Sequence, residues 1–343
     1  MKIAVIGAGA IGCLTGALLW DCGIDVALVG RPGQAEAINS GGVVLDGLLG
    51  GRRFHVPVRA ALDFRPGMVI LAVKTQDVEA ACRAVKPWAD DALVLTTQNG
   101  VRADGIAAAV LGRERIISAV VMFGATGLEP GRVVYNFPGG LIIGRAFPEA
   151  GGKGGEEGLE EARTALSAAF DVHVNPDIRA VRWTKLLLNL NNALAGILGL
   201  DLQEVFGDPR LCRLGVTLMR EAYGVLAGAG INLVDLPDLP AVRLKGLLDA
   251  PLEVSSGIYG GIMRGLCGDP LPGSVLQSIR RGRASEVDYL NGEIVSQAEN
   301  IGLSAPLNGA VARLVKEVEA GGRFMTKNAL LDEVKDLMQP PNK

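Results

Sequence analysis

Two histidines in 343 residues, His55 and His173, stand far apart and beside no other obvious ligand. A His-ligated metal site and acid–base machinery built on imidazole are therefore not expected. Proton chemistry would fall to another residue type. Cysteine is scarce as well: Cys13, Cys22, Cys82, Cys212 and Cys267 are odd in number and widely spaced, with no C-x-x-C. That pattern speaks against both a disulfide framework and a zinc site, and for a reducing, cytoplasmic setting. Neither sign of charge dominates. Lys and Arg total 34 and Asp and Glu 37, a net charge of −3, without a basic block that could grip a phosphate backbone, so nucleic acid is not an expected partner. A long uninterrupted hydrophobic run is missing too. Ile3 to Trp20 carries no charge, but glycines at 7, 9, 12 and 16 interrupt it and Asp21 closes it, which fits neither a secretory leader nor a membrane span.

Length allows about two domains at roughly 150 residues each, enough to bury a core without disulfides. Glycine is abundant: 47 residues, about twice the usual ~7%, pointing to tight turns and close backbone approaches. Lys2 to Ile6 reads as a β-branched strand, followed by a glycine turn, a helix to about Cys22 and a second strand from Asp25 to Val29. Val43–Leu45 and Phe54–Val58 form a hairpin in this reading. Met68–Val73 and Leu93–Thr97 are short apolar runs of the kind found in parallel strands buried on both faces. Ile116–Phe123, Arg132–Asn136 and Leu141–Ile143 are expected as antiparallel additions at the far edge of the sheet, and 150–158 as a surface loop. From Asn175 the pattern turns helical. Asn175-Pro176-Asp177 opens a helix running to about Leu198, with further helices near 209–228, 239–250, 274–281, 285–300 and 307–319. The expected division is an α/β domain over 1–174, an all-helical domain over 175–320, and a tail over 321–343 whose order the pattern leaves open.

A G-x-G-x-x-G gains meaning when it follows a strand and opens a helix, as Gly7-Ala8-Gly9-Ala10-Ile11-Gly12 does. Gly7 permits the turn, Gly9 lets backbone approach a pyrophosphate, Gly12 allows helix–strand packing, and the helix N-terminus offers N–H groups and positive dipole. All six residues are candidates for cofactor binding, and the N-terminal domain is Rossmann-type. After the second strand, where an acid would hold the ribose of NAD, the chain has Val29-Gly30-Arg31. Arg31 can pair with a 2′-phosphate, which favours NADPH/NADP over NADH. Lys74, beyond the Ile70–Val73 strand end, is either a second phosphate partner or a solvated lysine.

In the helical domain Lys185, Asn189 and Asn192 are spaced i, i+4, i+7 and share one face of a single continuous helix. Flanking leucines bury that helix, so these polar groups need partners. They form either a structural hydrogen-bond network or a catalytic site in which Lys185 protonates a developing alkoxide. Burial would lower the lysine pKa and a nearby carboxylate would raise it, and the residues leave the balance open.

The N-terminal GAGAIG, Val29-Gly30-Arg31, Val73-Lys74-Thr75, Gln98-Asn99-Gly100, Trp183-Thr184-Lys185 with Asn189, and Ser285-Glu286-Val287-Asp288-Tyr289-Leu290-Asn291-Gly292 together resemble the ketopantoate reductase family from Met1 to about Val318. The resemblance implies NADPH-dependent reduction of 2-dehydropantoate to pantoate, on the way to pantothenate and coenzyme A, by a Rossmann-type domain paired with a helical one. It implies Lys185 as general acid, Glu286 as the carboxylate that orients it, Asn99 beside the nicotinamide ribose, and Asn189 and Ser274 as substrate-binding residues. Read by itself, Glu286 is equally an acid in a first helical turn, with Ser285 and Asp288 as a capping box. Two positions depart from the family pattern: Ala193 stands where a second asparagine is common, with Asn192 one residue earlier as a candidate substitute, and Leu271 stands where another asparagine is frequent. Lost polar complementarity shifts preference towards a more apolar substrate. Reduction of another 2-oxo acid, an opine-type imine reduction, and a non-catalytic NADPH-binding sensor therefore stay open beside the ketopantoate reading. The partner expected is a small 2-oxo acid, with a homodimer compatible but not specified.

Overall fold

The computed structural model describes residues 1–266 and 269–338; Cys267 and the end of the tail, 339–343, lie outside the described residues. Compactness divides the chain between Arg179 and Ala180, five residues beyond the expected boundary and inside the first turn of a helix.

The first unit runs β1 (Ile3–Ile6), α1 (Ala10–Asp21), β2 (Val26–Val29), α2 (Pro32–Gly41), β3 (Val43–Gly47), β4 (Arg52–Phe54), β5 (Val58–Arg59), β6 (Met68–Leu71), α3 (Val78–Val85), β7 (Leu93–Thr96), α4 (Ala103–Leu111), β8 (Ile116–Val121), β9 (Gly124–Glu129), β10 (Arg132–Phe137), β11 (Leu141–Arg145), α5 (Glu156–Ser167) and β12 (Val172–Val174). Eight strands form one sheet in the order β12-β11-β8-β7-β6-β1-β2-β5. From β5 to β8 neighbouring strands are parallel; β11 joins β8 antiparallel. The central strands β1, β6 and β7 are buried along their whole length. Their alternate residues enter different cores: Ile3, Val5, Met68, Ile70, Leu93 and Leu95 pack with α1 and α5, while Ala4, Ile6, Val69, Leu71 and Val94 pack with α3 and α4. A strand period of two thus explains why uninterrupted apolar runs are needed. The uncharged run from Ile3 is spent on β1 and α1, and among the described residues no helix is long and apolar enough to cross a membrane.

The expected edge additions are corrected in part. β8 is a parallel member of the main sheet, and β10 leaves it altogether for a second sheet of order β4-β3-β10-β9. There β10 pairs parallel with β3 and antiparallel with β9, and Arg132 binds Asp46 at 2.7 Å. Local pattern reports strand character but not a partner strand so distant in sequence. The β3–β4 hairpin forms, but Val58 belongs to β5, which pairs with β2.

The second unit is helical: α6 (Ile178–Asn189), α7 (Asn192–Leu198), α8 (Leu202–Val205), α9 (Pro209–Gly228), α10 (Ala241–Asp249), α11 (Leu252–Arg264), α12 (Gly273–Arg280), α13 (Asn291–Asn300), α14 (Pro306–Gly321) and α15 (Lys327–Val334). Two expectations change here. The helix expected from Pro176 to Leu198 is two helices, α6 and α7, parted at Leu190-Asn191; Asn175 accepts from the Asp177 N–H at 2.8 Å ahead of α6. The tail is built into the domain as far as Met338. Thr326 caps α15 by accepting from the Ala329 N–H at 3.2 Å, Met325 N–H donates to the Ile197 carbonyl at 2.9 Å, and Leu330 and Val334 are buried. A single short amphipathic helix looks weak in sequence because its stability comes from packing on neighbours.

Candidate active site

The glycine turn leaves β1 at the point where the chain order switches sides, β2 to one flank and β6 to the other, the position at which open α/β sheets bind ligands. Gly7 has φ +111°, and a Cβ there would lie 2.8 Å from the backbone of Ala72 and Val73. At Gly12 a Cβ would fall 1.9 Å from the Gly7 carbonyl oxygen, so glycine is required for the helix to start against its own turn. At Gly9 a Cβ would meet nothing within 4 Å. Gly9 also caps α1 without a side chain, leaving the first N–H groups of the helix to a ligand. A dinucleotide pyrophosphate fits this cradle.

Arg31 is exposed at the end of β2 and heads α2. Its Nε donates to Gln34 Oε1 at 3.3 Å, and Gln34 Nε2 donates to the Ala8 carbonyl at 3.2 Å. Gln34 therefore tethers the proposed 2′-phosphate reader to the glycine turn. The sequence reading passed over it, although its i+3 spacing from Arg31 on a helix start was a usable signal. Lys74 is part-open and precedes a short 3₁₀ turn. Gln98 is buried and donates to the carbonyls of Leu71 at 2.8 Å and Val73 at 2.9 Å, and Thr97 Oγ1 donates to Leu71 at 2.7 Å. These side chains take over beyond the last ladder bonds of β6 and β7 and hold the loop that carries Asn99, whose carbonyl also accepts from Thr75 Oγ1 at 3.5 Å. Gly7, Arg31, Lys74 and Asn99 thus all follow the carboxyl ends of parallel strands.

On α6 of the helical unit Trp183, Thr184, Leu186 and Leu187 are buried, and Lys185, Leu188 and Asn189 are part-open. Thr184 anchors the helix by donating to the Ala180 carbonyl at 2.9 Å and accepting from the Val234 N–H at 3.1 Å. Burial, assisted by the charge of Arg182, pushes the Lys185 ammonium down to about 8. The balance left open by the residues falls on the side of burial.

Asn192 does not share a continuous helical face with Lys185. As the first residue of α7 it donates through Nδ2 to the Asn189 carbonyl at 3.0 Å, satisfying an acceptor left over at the end of α6. Its Oδ1 reaches the start of α12, where Gly273 has φ +67° and a Cβ would come within 2.6 Å of that oxygen. Ser274 is the next residue, so Asn189, Asn192 and Ser274 are brought together by the junctions of α6, α7 and α12. The two departing positions are buried: Ala193 within α7, and Leu271 beside Leu202, whose N–H donates to the Leu271 carbonyl at 2.8 Å.

The expected capping box at Ser285 and Asp288 is replaced by a different arrangement. Ser285 Oγ accepts from the Val287 N–H at 3.3 Å, and Asp288 pairs with Lys316 at 2.5 Å. Glu286 is part-open ahead of the 3₁₀ turn Val287–Tyr289, so the helix-dipole explanation for it loses its α-helix. Asn291, in the same motif, is structural: its Nδ2 donates to Asn308 Oδ1 at 3.0 Å, and both are fully buried. Among the described residues no group of three or more His, Cys, Asp or Glu could hold a metal.

A nucleotide cradle on a parallel sheet, followed by a helical unit with a half-buried lysine of lowered pKa, defines a two-domain, nicotinamide-dependent oxidoreductase. The chain belongs to the ketopantoate reductase PanE/ApbA family, whose N-terminal model matches residues 3–147 and whose C-terminal model matches 177–319. It is 30% identical over 324 residues to the 2-dehydropantoate 2-reductase of Pyrococcus horikoshii, covering 94% of this chain and 99% of that protein. A PanE/ApbA family ketopantoate reductase from Ralstonia eutropha JMP134 is 27% identical, with a TM-score of 0.75 over 94% of this chain and 99% of that one. D-mandelate dehydrogenase in a ternary structure with NADH and anilino(oxo)acetate shares the fold, with a TM-score of 0.79, 22% identity, and 94% and 99% of the two chains covered.

Proposed function

We propose that this protein reduces 2-dehydropantoate to pantoate with NADPH, using Lys185 as proton donor and Glu286 as the carboxylate that orients it. The observation that carries the reading is Lys185: a lysine with its pKa lowered to about 8 on a part-open helical face, four residues from a part-open asparagine. A lysine so tuned releases a proton far more readily than one in water, which is the property needed to neutralise an alkoxide. Bound NADPH supplies the hydride. The backbone N–H groups from Ala8 to Gly12 bind its pyrophosphate, Arg31 its 2′-phosphate, and Lys74 and Asn99 are assigned to further cofactor contacts. Asn189, Asn192 and Ser274 hold the carboxylate and hydroxyl of the oxo acid, fixing the carbonyl oxygen for proton transfer from Lys185 Nζ.

The described cysteines Cys13, Cys22, Cys82 and Cys212 are free thiols, which suits the reducing cytoplasm to which we assign the enzyme. A homodimer would find an apolar face along α11, where Val254, Ile258 and Ile262 are exposed.

NADPH absorbance with a panel of 2-oxo acids, with and without amines, tests the reading. Fast turnover of 2-dehydropantoate, lost in Lys185→Met, is expected; rapid reduction of another acid with none of 2-dehydropantoate would overturn the substrate assignment. In the same assay Arg31→Ala should weaken NADPH much more than NADH, and equal weakening would refute the 2′-phosphate role.

A further inference from the structure

The residue between Leu190 and Asn192 has no assigned part in the chemistry, yet it is the most deeply held of the group. Asn191 is 1% exposed and sits at the break between α6 and α7. Its Nδ2 donates to Tyr259 Oη at 2.7 Å and lies 3.4 Å from the Gly215 carbonyl oxygen. Because a carbonyl only accepts, the second partner identifies the atom facing both as the amide nitrogen. Tyr259 lies on α11, is itself 5% exposed, and stands edge-on to Phe206 with ring centroids 5.0 Å apart. Gly215 lies on α9, where a Cβ would crowd the Asn191 amide at 3.1 Å. One side chain thus ties the α6–α7 turn to two other helices.

We propose that Asn191, through Tyr259, is a positioning residue for the substrate-binding asparagines. This rests on the site proposed above. A continuous helix would keep Asn189 and Asn192 about 60° apart on one face, at 100° per residue, but would give the Asn189 carbonyl to the Ala193 N–H, which here donates to the Leu190 carbonyl at 3.3 Å. The break instead lets Asn192 fold its amide onto the Asn189 carbonyl and its Oδ1 onto Gly273. A turn of two residues has little stability of its own, and the buried hydrogen bond to Tyr259 costs more to leave unmade than it contributes when made, which pins the turn in a single geometry. Asn191 touches neither Lys185 nor the substrate in this account; it acts through its neighbours.

The test is steady-state kinetics of Tyr259→Phe and Asn191→Ala in the full-length enzyme, with hydrogen exchange of the 189–198 segment. Tyr259→Phe removes one oxygen and keeps the ring, so it remains informative if Asn191→Ala fails to fold. Expected are a rise of roughly tenfold in KM for the 2-oxo acid, kcat within about threefold, unchanged NADPH affinity, and faster exchange confined to 189–198. The KM effect should be non-additive with Asn192→Ala, since both changes release the same turn. A purely structural role would lower thermal stability and leave KM per folded enzyme unchanged, and that result, or additive effects, overturns the proposal. If the wild-type enzyme reduces no 2-oxo acid, the site reading fails and the positioning role fails with it; wild-type turnover with unchanged KM in the variants sinks the positioning role alone.

Discussion

Lys185 carries two opposing demands. Its pKa stands at about 8 against an ordinary value near 10.5, because burial and the Arg182 charge both disfavour the ammonium. As a proton donor it must be charged, so kcat should hold below pH 8 and fall about tenfold per pH unit above it. Its effect on folding has the opposite sense. A folded pKa below the unfolded one means that the unfolded chain binds more protons between pH 8 and 10.5, so stability rises through that window and the charged lysine is a burden below it. Lys185→Met should therefore abolish turnover while raising stability at pH 7 by roughly 3 kcal/mol, a gain that fades above pH 8 and is gone by about 10.5. Denaturant melts of the two proteins at pH 7 and pH 10.5 check this; a variant less stable than the wild type at pH 7 would show that the lysine is held by favourable contacts. His173 pairs with Asp171 at 3.0 Å on the surface and is given no part in the proposed chemistry, so the scarcity of histidine constrains nothing in this account.

At the scale of elements, the glycine turn and α1 were legible because every requirement is local: strand, turn and helix start lie within ten residues. Gly12→Ala should cost nucleotide binding at least tenfold and lower Tm by several degrees, because the obstacle is the Gly7 carbonyl oxygen, a backbone atom that cannot rotate away. Titration of the variant with NADPH and a thermal melt measure both; wild-type affinity would mean that the turn opens without loss. Less was legible where local preference and tertiary partners disagree. The α6–α7 break was hidden because Asn175 to Leu198 reads as one helix, and between Pro176 at its start and Gly196 near its end no residue is a helix breaker. What ends α6 is a polar side chain with its partners on α9 and α11, and α11 itself, with glycines at 257, 260 and 261, did not read as a helix at all. Glu286 was found by resemblance and mis-set locally, since a 3₁₀ turn and an α-helix share the same opening residues.

For the whole molecule, the parallel sheet, the helical second unit and the nucleotide cradle follow from apolar runs and punctuation, whereas strand partners separated by many residues do not. The cysteines give a probe at this scale. Burial pushes the Cys13 thiol up to about 12 and the Cys82 thiol to about 11, while Cys22 is exposed. In native protein at pH 8, Cys22 should react with a thiol reagent within minutes, and Cys13 and Cys82 only at the rate of opening of their cores. Mass spectrometry of the labelled peptides follows both; prompt labelling of Cys82 would mean that the α3 face of the sheet breathes locally. The second sheet has a consequence in time. Val44 pairs with Arg132, and the hairpin ends at Phe54, so a ribosome adding about 5–20 residues per second completes the β3–β4 hairpin roughly 4 to 16 seconds before its β10 partner leaves the exit tunnel. Throughout that interval the nascent chain displays a bare strand edge, and the hydrogen bonds that cover it arrive only with the strands that come after β8.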